Sequence, residues 1–373
     1  MLSPKLKRNI LRILPFGIIW LISGLVFLVV EQGAVNDMEG DFTTGIEINL
    51  GVFIFSSLAI TCVGLLVGTI ELLYLNQVFS KKSFTKKILY KLVVYTILLF
   101  IVTLITYPIA ASLELKTSLF DPRVWEKLYD FLASYAYLST SLQLLVALGI
   151  SLFYAEISEN IGHGILLNFF TGKYHSPTEE ERIFMFLDMK SSTTIAEELG
   201  HIRYFGLLKE YYADLSDAII QYAGEVYQYV GDEIIVSWKD DKGIQNHNCI
   251  KCFQAMKADL HQRAKWYEEK FGVEPTFKAG FHIGKVTTGE IGVLKKEIIF
   301  TGDVLNTTAR IQGLCNTYGV DMLISEDLLQ LLDLGPEYEK QSFGQNELRG
   351  RKKNMTLYTL TPRSSTTQNQ NDN

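Results

Sequence analysis

Two segments, RIFMFLDMKSSTTIAEELG at residues 182–200 and GEVYQYVGDEIIVSW at 224–238, decide the fold. Each holds a short apolar run, 183–187 and 234–238, that is β-branched or aromatic and bounded by polar clusters. That pattern predicts two strands. Between them, apolar residues at Ile195, Leu199, Phe205, Leu208, Tyr212, Leu215 and Ile219 recur at helical spacing. Asp188 follows the first run and Asp232 precedes the second, in a Gly-Asp turn. Taken singly, each is an ordinary helix cap or turn residue. If the strands lie side by side, both carboxylates emerge at one sheet edge. A divalent cation needs such hard oxygen ligands, with positions left open for phosphate oxygens.

Working outward, the 373 residues divide unevenly. The first part is rich in Leu, Ile, Val and Phe, and has four apolar runs near 13–30, 51–70, 92–111 and 135–154 without interior charge. Each approaches or reaches the roughly 20 residues that a bilayer core requires, so four membrane-spanning helices are expected in residues 1–154. Lys5, Lys7, Arg8 and Arg12 precede the first run, and Lys81, Lys82, Lys86, Lys87 and Lys91 lie between the second and third. The connector between the first two carries Glu31, Asp37, Glu39, Asp41 and Glu47 with no Lys or Arg. By the positive-inside rule both termini face the cytoplasm of a multi-pass plasma or inner membrane protein. Asp121, Pro122 and Trp125 suggest a small amphipathic helix in the second outer connector. Residues 155–180 read as a coupling helix and linker, with an apolar stripe from Ile157 to Phe170 that a second copy's helix would cover.

The net charge of −6 argues against a nucleic-acid binder. Cys249 and Cys252 form a CxxC inside an amphipathic helical pattern, without the second pair that zinc needs, and read as buried helix cysteines. His282, mid-strand in FKAGFHIGKVTTGEIG, reads as a core histidine. In GDVLNTTARI, Asp303 is expected to cap a helix on which Asn306 and Arg310, four apart, share a face. That spacing suits an amide for a ribose and a guanidinium for charge developing on a phosphate. Residues 347–361 bring Arg349 before Gly350, and 362–373 form a polar tail expected to be disordered.

FLDMKSST, YVGDEIIVSW, GDVLNTTARI and ELRGRKKNMTLYTL, in that order, resemble the class III nucleotidyl (adenylate/guanylate) cyclases over residues 181–361. The resemblance implies an α+β, ferredoxin-like βαββαβ catalytic domain, placed here behind an all-α membrane domain. It implies cyclisation of a nucleoside triphosphate to a 3′,5′-cyclic monophosphate and pyrophosphate, in a homodimer with sites at the interface. Asp188 and Asp232 of one protomer would hold two Mg²⁺ or Mn²⁺ ions. Asn306, Arg310 and a triphosphate-binding Arg349 would come from the other. The family's base-reading positions hold Gln228 and Ile299, where adenylyl cyclases usually carry Lys and Asp or Thr, and guanylyl cyclases Glu and Cys. A glutamine amide pairs with adenine, guanine or cytosine according to its orientation. Absence of the guanylyl pair favours ATP and cyclic AMP. Cyclic GMP, a cyclic pyrimidine nucleotide and a non-catalytic nucleotide-binding receptor are the alternatives.

Overall fold

The computed structural model describes residues 3–36, 49–79, 84–161, 166, 168, 171–348 and 354–363. The chain divides into two compact units, Leu6–Phe170 and Thr171–Asn373, the latter grouped with Met1–Lys5.

The first unit is helical. Helices Pro4–Asn36, Leu50–Ile70, Phe84–Leu115 and Tyr135–Ile161 contain four stretches long and apolar enough to cross a membrane. The expected amphipathic helix is present at Pro122–Leu132, where the Asp121 carboxylate accepts from the Arg123 amide at 3.0 Å. The helices run beyond the limits set by the apolar runs, and these extensions carry charge. Leu50–Ile70 continues into a π-helical turn, Glu71–Leu75. There Glu71, fully buried, pairs with Lys91 of the next long helix, itself only 4% exposed. Lys91 Nζ also donates to Asn76 Oδ1 at 2.9 Å, and the Tyr95 hydroxyl to Glu71 Oε2 at 2.8 Å. Charges at this depth are kept only when paired and hydrogen-bonded.

The second unit is built on one eight-stranded sheet of mixed α+β architecture. Its strands are β1 (Thr178–Met189), β2 (Glu225–Val230), β3 (Glu233–Lys239), β4 (Phe277–Ile291), β5 (Glu297–Thr301), β6 (Met322–Ser325), β7 (Tyr338–Asn346) and β8 (Met355–Pro362). The order is β2-β3-β1-β4-β6-β8-β7, with β5 paired to β4. The first four strands are antiparallel neighbours in the expected βαββαβ arrangement. Strand β1 begins at Thr178, inside the stretch expected as linker, because residues 178–181 pair with 285–288 of β4.

β1 is buried on both faces, which is why its sequence is an unbroken apolar run rather than an alternation. Ile183, Met185 and Leu187 pack into the main core with helices His201–Gln221 and Asn248–Gln262. Phe184 and Phe186 face a second core with Ile235, Val286 and Val304. Cys249 and Cys252 are buried in the main core, and His282 is buried with Nδ1 2.8 Å from Ser325 Oγ, as their patterns imply. One detail differs from the sequence reading. The helical stretch after β1 breaks at Gly200 into Ser192–Leu199 and His201–Gln221, and Phe205 lies exposed on the second. Residues 248–271 form two helices, Asn248–Gln262 and Ala264–Phe271, separated at Arg263. β4 runs unbroken through its glycines to Ile291, since each of its residues has a partner on β1 or β5.

Candidate active site

Asp188 is the penultimate residue of β1, opposite Glu233 of β3 and Lys278 of β4. Asp232 sits in the two-residue turn joining β2 to β3, after Gly231 at φ +63°. Glycine takes that left-handed conformation without strain, so the hairpin is tight and its second residue is fixed. The Tyr212 hydroxyl donates to the Gly231 carbonyl at 2.8 Å, fastening the turn to the helix behind it. The two aspartates thus meet at one sheet edge, as expected of strands that lie side by side.

Their electrostatics follow from that meeting. Burial raises the Asp188 carboxyl above its ordinary range, and the neighbouring Asp232 raises it further, while Lys278 opposes both. Burial raises Glu233 as well, with the charges of Asp188 and Asp232 adding to it. Tyr204 is raised by burial first and then by Asp232. Lys278 Nζ stands 3.4 Å from Asp188 Oδ2, and Gln312 Nε2 donates to that oxygen at 3.3 Å. Asp232 Oδ2 is buried with no hydrogen-bond partner. Two crowded carboxylates, one with an orphaned buried oxygen, form an acceptor-only set that a divalent cation satisfies. The residues therefore fit the metal that the motifs imply.

Gln312 was not anticipated, although it follows Arg310 by two residues. Its helix, Asp303–Gly313, lies directly on the sheet because Gly280 of β4 has no side chain. A Cβ there would fall 2.4 Å from the Gln312 amide nitrogen. Asp303 does not cap this helix. β5 stays paired through Thr301, leaving Gly302 as the cap and Asp303 as the first helical residue, where its Oδ2 accepts from Thr307 Oγ1 at 3.2 Å.

Asn306 and Arg310 share that helix, the first exposed and the second half-buried. Arg310 Nη1 is buried and unpartnered. Neither residue bonds to Asp188 or Asp232 among the described residues. Gln228 is exposed on β2, opposite Ile235, and Ile299 is half-buried on β5, opposite Gly289. The pairing of β2 slips by one residue at Tyr227, between Val226 and Gln228. Such bulges re-aim the following side chain. Arg349 lies outside the described residues.

Residues 175–362 match the model of the adenylate and guanylate cyclase catalytic domain. "Adenylate cyclase 2" of Rhizobium meliloti (strain 1021) is 34% identical over 221 residues, which are 58% of this chain and 60% of that protein. The "Adenylate cyclase" of Anabaena cylindrica is 24% identical over 179 residues, 47% of this chain and 36% of that one. The chain thus spans less than two thirds of these curated relatives. Among solved structures, a bacterial light-regulated adenylyl cyclase superposes with a TM-score of 0.51 at 17% identity, over 59% of this chain and 64% of that chain. This likeness concerns the fold. With half of its length matched to that model and its motifs in order, the chain belongs to the family of adenylate and guanylate cyclase catalytic domains.

Proposed function

We propose that this protein is a membrane-anchored adenylyl cyclase, converting ATP to 3′,5′-cyclic AMP and pyrophosphate in a homodimer with its catalytic unit in the cytoplasm. The reading rests on the Asp188–Asp232 pair, whose orphaned oxygen and crowded charge suit divalent cations. The 3′-oxygen of the ribose attacks the α-phosphorus, the bond to the bridging oxygen of pyrophosphate breaks, and the 3′-hydroxyl proton leaves to solvent. Asp188 and Asp232 would hold Mg²⁺ or Mn²⁺, two per site. When bound, such ions supply Lewis acidity toward the 3′-oxygen and phosphate oxygens.

The chain's own residues do the rest. The Asp188 carboxylate is held through Oδ2 by Gln312 and Lys278, which fix that oxygen before substrate arrives. Preorganised donors of this sort need no rearrangement at the moment of reaction. Arg310 of the partner subunit would meet charge developing on the α-phosphate, Asn306 would orient the ribose, and Arg349 would bind the triphosphate. The unpartnered Nη1 of Arg310 leaves a donor ready for that role. Gln228 would read the base, with Ile299 packing beside it. The four apolar helices would anchor the enzyme and regulate it.

Full-length protein in membranes, given Mn²⁺ and equal ATP, GTP, CTP and UTP, tests this by mass spectrometry of the products. Cyclic AMP that disappears in Asp188→Ala supports the reading. A different cyclic nucleotide overturns the base, and no cyclic product from an intact dimer overturns the activity.

A further inference from the structure

The helix Asp303–Gly313 has two dissimilar faces. Val304, Thr308, Ile311 and Gln312 are buried, whereas Asp303, Asn306 and Gly313 are exposed and Arg310 is half-buried. Residues 303, 306, 310 and 313 are three or four apart, so they form one outer stripe. Gln312 follows Arg310 by two residues, about 200° further round the helix, so the two side chains leave on nearly opposite sides. Gln312 Nε2 donates to Asp188 Oδ2 of its own chain at 3.3 Å. Arg310 therefore leaves the helix on the side away from its own chain's aspartate.

The inner face is tightly seated. Gly280 and Gly284 lie four apart on β4, hence on one face of that strand. A Cβ on Gly280 would fall 2.4 Å from the Gln312 amide nitrogen and 2.8 Å from the Thr308 carbonyl oxygen. One on Gly284 would fall 3.1 Å from Val304 Cβ. Elements packed this closely transmit a displacement rather than absorb it. The helix and the aspartate edge of the sheet are thus joined twice, by backbone packing and by the Gln312 bond.

We infer that Gln312 couples the two active sites of the homodimer, as a positioning residue that ties Asp188 of one site to the helix serving the other. The inference rests on the homodimer proposed above. There, one helix offers Asn306 and Arg310 to the partner subunit's site and, through Gln312, steadies Asp188 of its own. Once a bound cation fixes Asp188, the acceptor for the Gln312 amide is fixed as well, and the helix is held more firmly. The order gained at the first site need not be gained again at the second, so filling one site favours the other. Linkage makes the effect reciprocal: phosphate held by Arg310 strengthens cation binding at Asp188 of the same chain.

Two differently tagged full-length chains, co-expressed and purified as the heterodimer in lipid nanodiscs, test this. One carries Arg310→Ala and keeps its aspartates; the other carries Asp232→Asn and keeps Arg310. Only one complete site then forms, from the first chain's aspartates and the second chain's Arg310. Asp188→Ala or Gln312→Met is next added to the second chain, where both positions belong to the incomplete site. Each should lower kcat about threefold to tenfold, the worth of one hydrogen bond, and the two together should lower it no further. Gln312→Met keeps the side chain's length, thermal unfolding checks its fold, and the Asp188→Ala addition decides the matter if Gln312→Met is damaged. A second readout needs no turnover. Mg²⁺ should slow hydrogen exchange across residues 303–313 in the wild-type homodimer but not in Gln312→Met. Full activity after either addition overturns the coupling, as do additive losses or equal slowing of exchange in both proteins. A heterodimer inactive before any addition overturns the shared site itself, and the coupling with it.

Discussion

The Tyr227 hydroxyl accepts a hydrogen bond from the Phe300 backbone amide at 3.2 Å, and the two rings lie 4.8 Å apart. Tyr227 is the extra residue of the β2 bulge and immediately precedes Gln228, while Phe300 immediately follows Ile299. One side-chain bond therefore sets the relative placement of the two candidate base-reading positions. The link is itself braced, because Phe300 also packs edge-on against Phe184 and under the Arg182 guanidinium, 4.7 Å from its ring centre.

Tyr227→Phe keeps the ring contact and removes the hydroxyl, so stability should fall by only about 0.5–1.5 kcal/mol. Selectivity should suffer more. The ratio of kcat/KM for ATP to that for GTP is expected to drop about threefold to tenfold, with kcat for ATP little changed. Steady-state kinetics with both nucleotides measure it. An unchanged ratio beside a lowered melting temperature would reduce the bond to a purely structural role.

The aspartate pair makes a prediction in two parts. Asp188→Asn and Asp232→Asn should each lower turnover at least a hundredfold, since a neutral amide is a poor ligand for a hard cation. Without divalent ions the same variants should melt at or above the wild-type temperature, because the substitution relieves the crowding that raises the Asp188 carboxyl. Mg²⁺ or Mn²⁺ should then stabilise the wild type but not the variants. Melting curves in chelator and in metal distinguish this from general damage, in which the variants would be less stable under both conditions.

A pH effect is expected at Asp321, just before β6. Burial opposes its ionisation, but Lys190 and Lys257 outweigh that and hold its carboxyl below the ordinary value of 3.8. A depressed folded value means the contribution is present above the unfolded value and is lost as pH falls through the folded one. The ion pairs are more than a third exposed, so the stabilisation is about 0.5–1 kcal/mol after solvent screening. The stability difference between wild type and Asp321→Asn should be constant near neutrality and shrink below about pH 4. Urea unfolding of both proteins from neutral to acid pH measures it, and a difference that grows on acidification would contradict the assignment.

Much of this architecture was legible in the sequence, for identifiable reasons. β1 and β3 declare themselves because burial on both faces selects continuous apolar runs, and the aspartates at their ends inherit their position from the strands. Gln312 escaped notice because its meeting with Asp188 depends on Gly280 letting a helix backbone touch the sheet, and Lys278 because it meets Asp188 only through the pairing of β1 with β4, long-range approaches that no local pattern encodes. The Tyr227 bridge was hidden in the same way, since β5 and β2 are separated by nearly seventy residues.

Glu71 went unread and Lys91 was read as a connector charge for another reason: hydropathy ends a span at its first charge, whereas these charges neutralise each other inside the helical unit. Their arrangement gives the last prediction. Lys91→Met leaves a fully buried Glu71 carboxylate with only the Tyr95 hydroxyl, and should destabilise the unit by about 3–5 kcal/mol. The double variant Glu71→Leu/Lys91→Met removes both charges and should recover most of that loss, since the attraction of a buried pair roughly offsets its desolvation. Thermal unfolding of the full-length protein in nanodiscs compares the two. If the double variant is as unstable as the single, the pair contributes net attraction beyond mutual neutralisation. The π-helical turn that begins at Glu71 would then depend on that attraction for its register, and the double variant should also alter hydrogen exchange across residues 71–75.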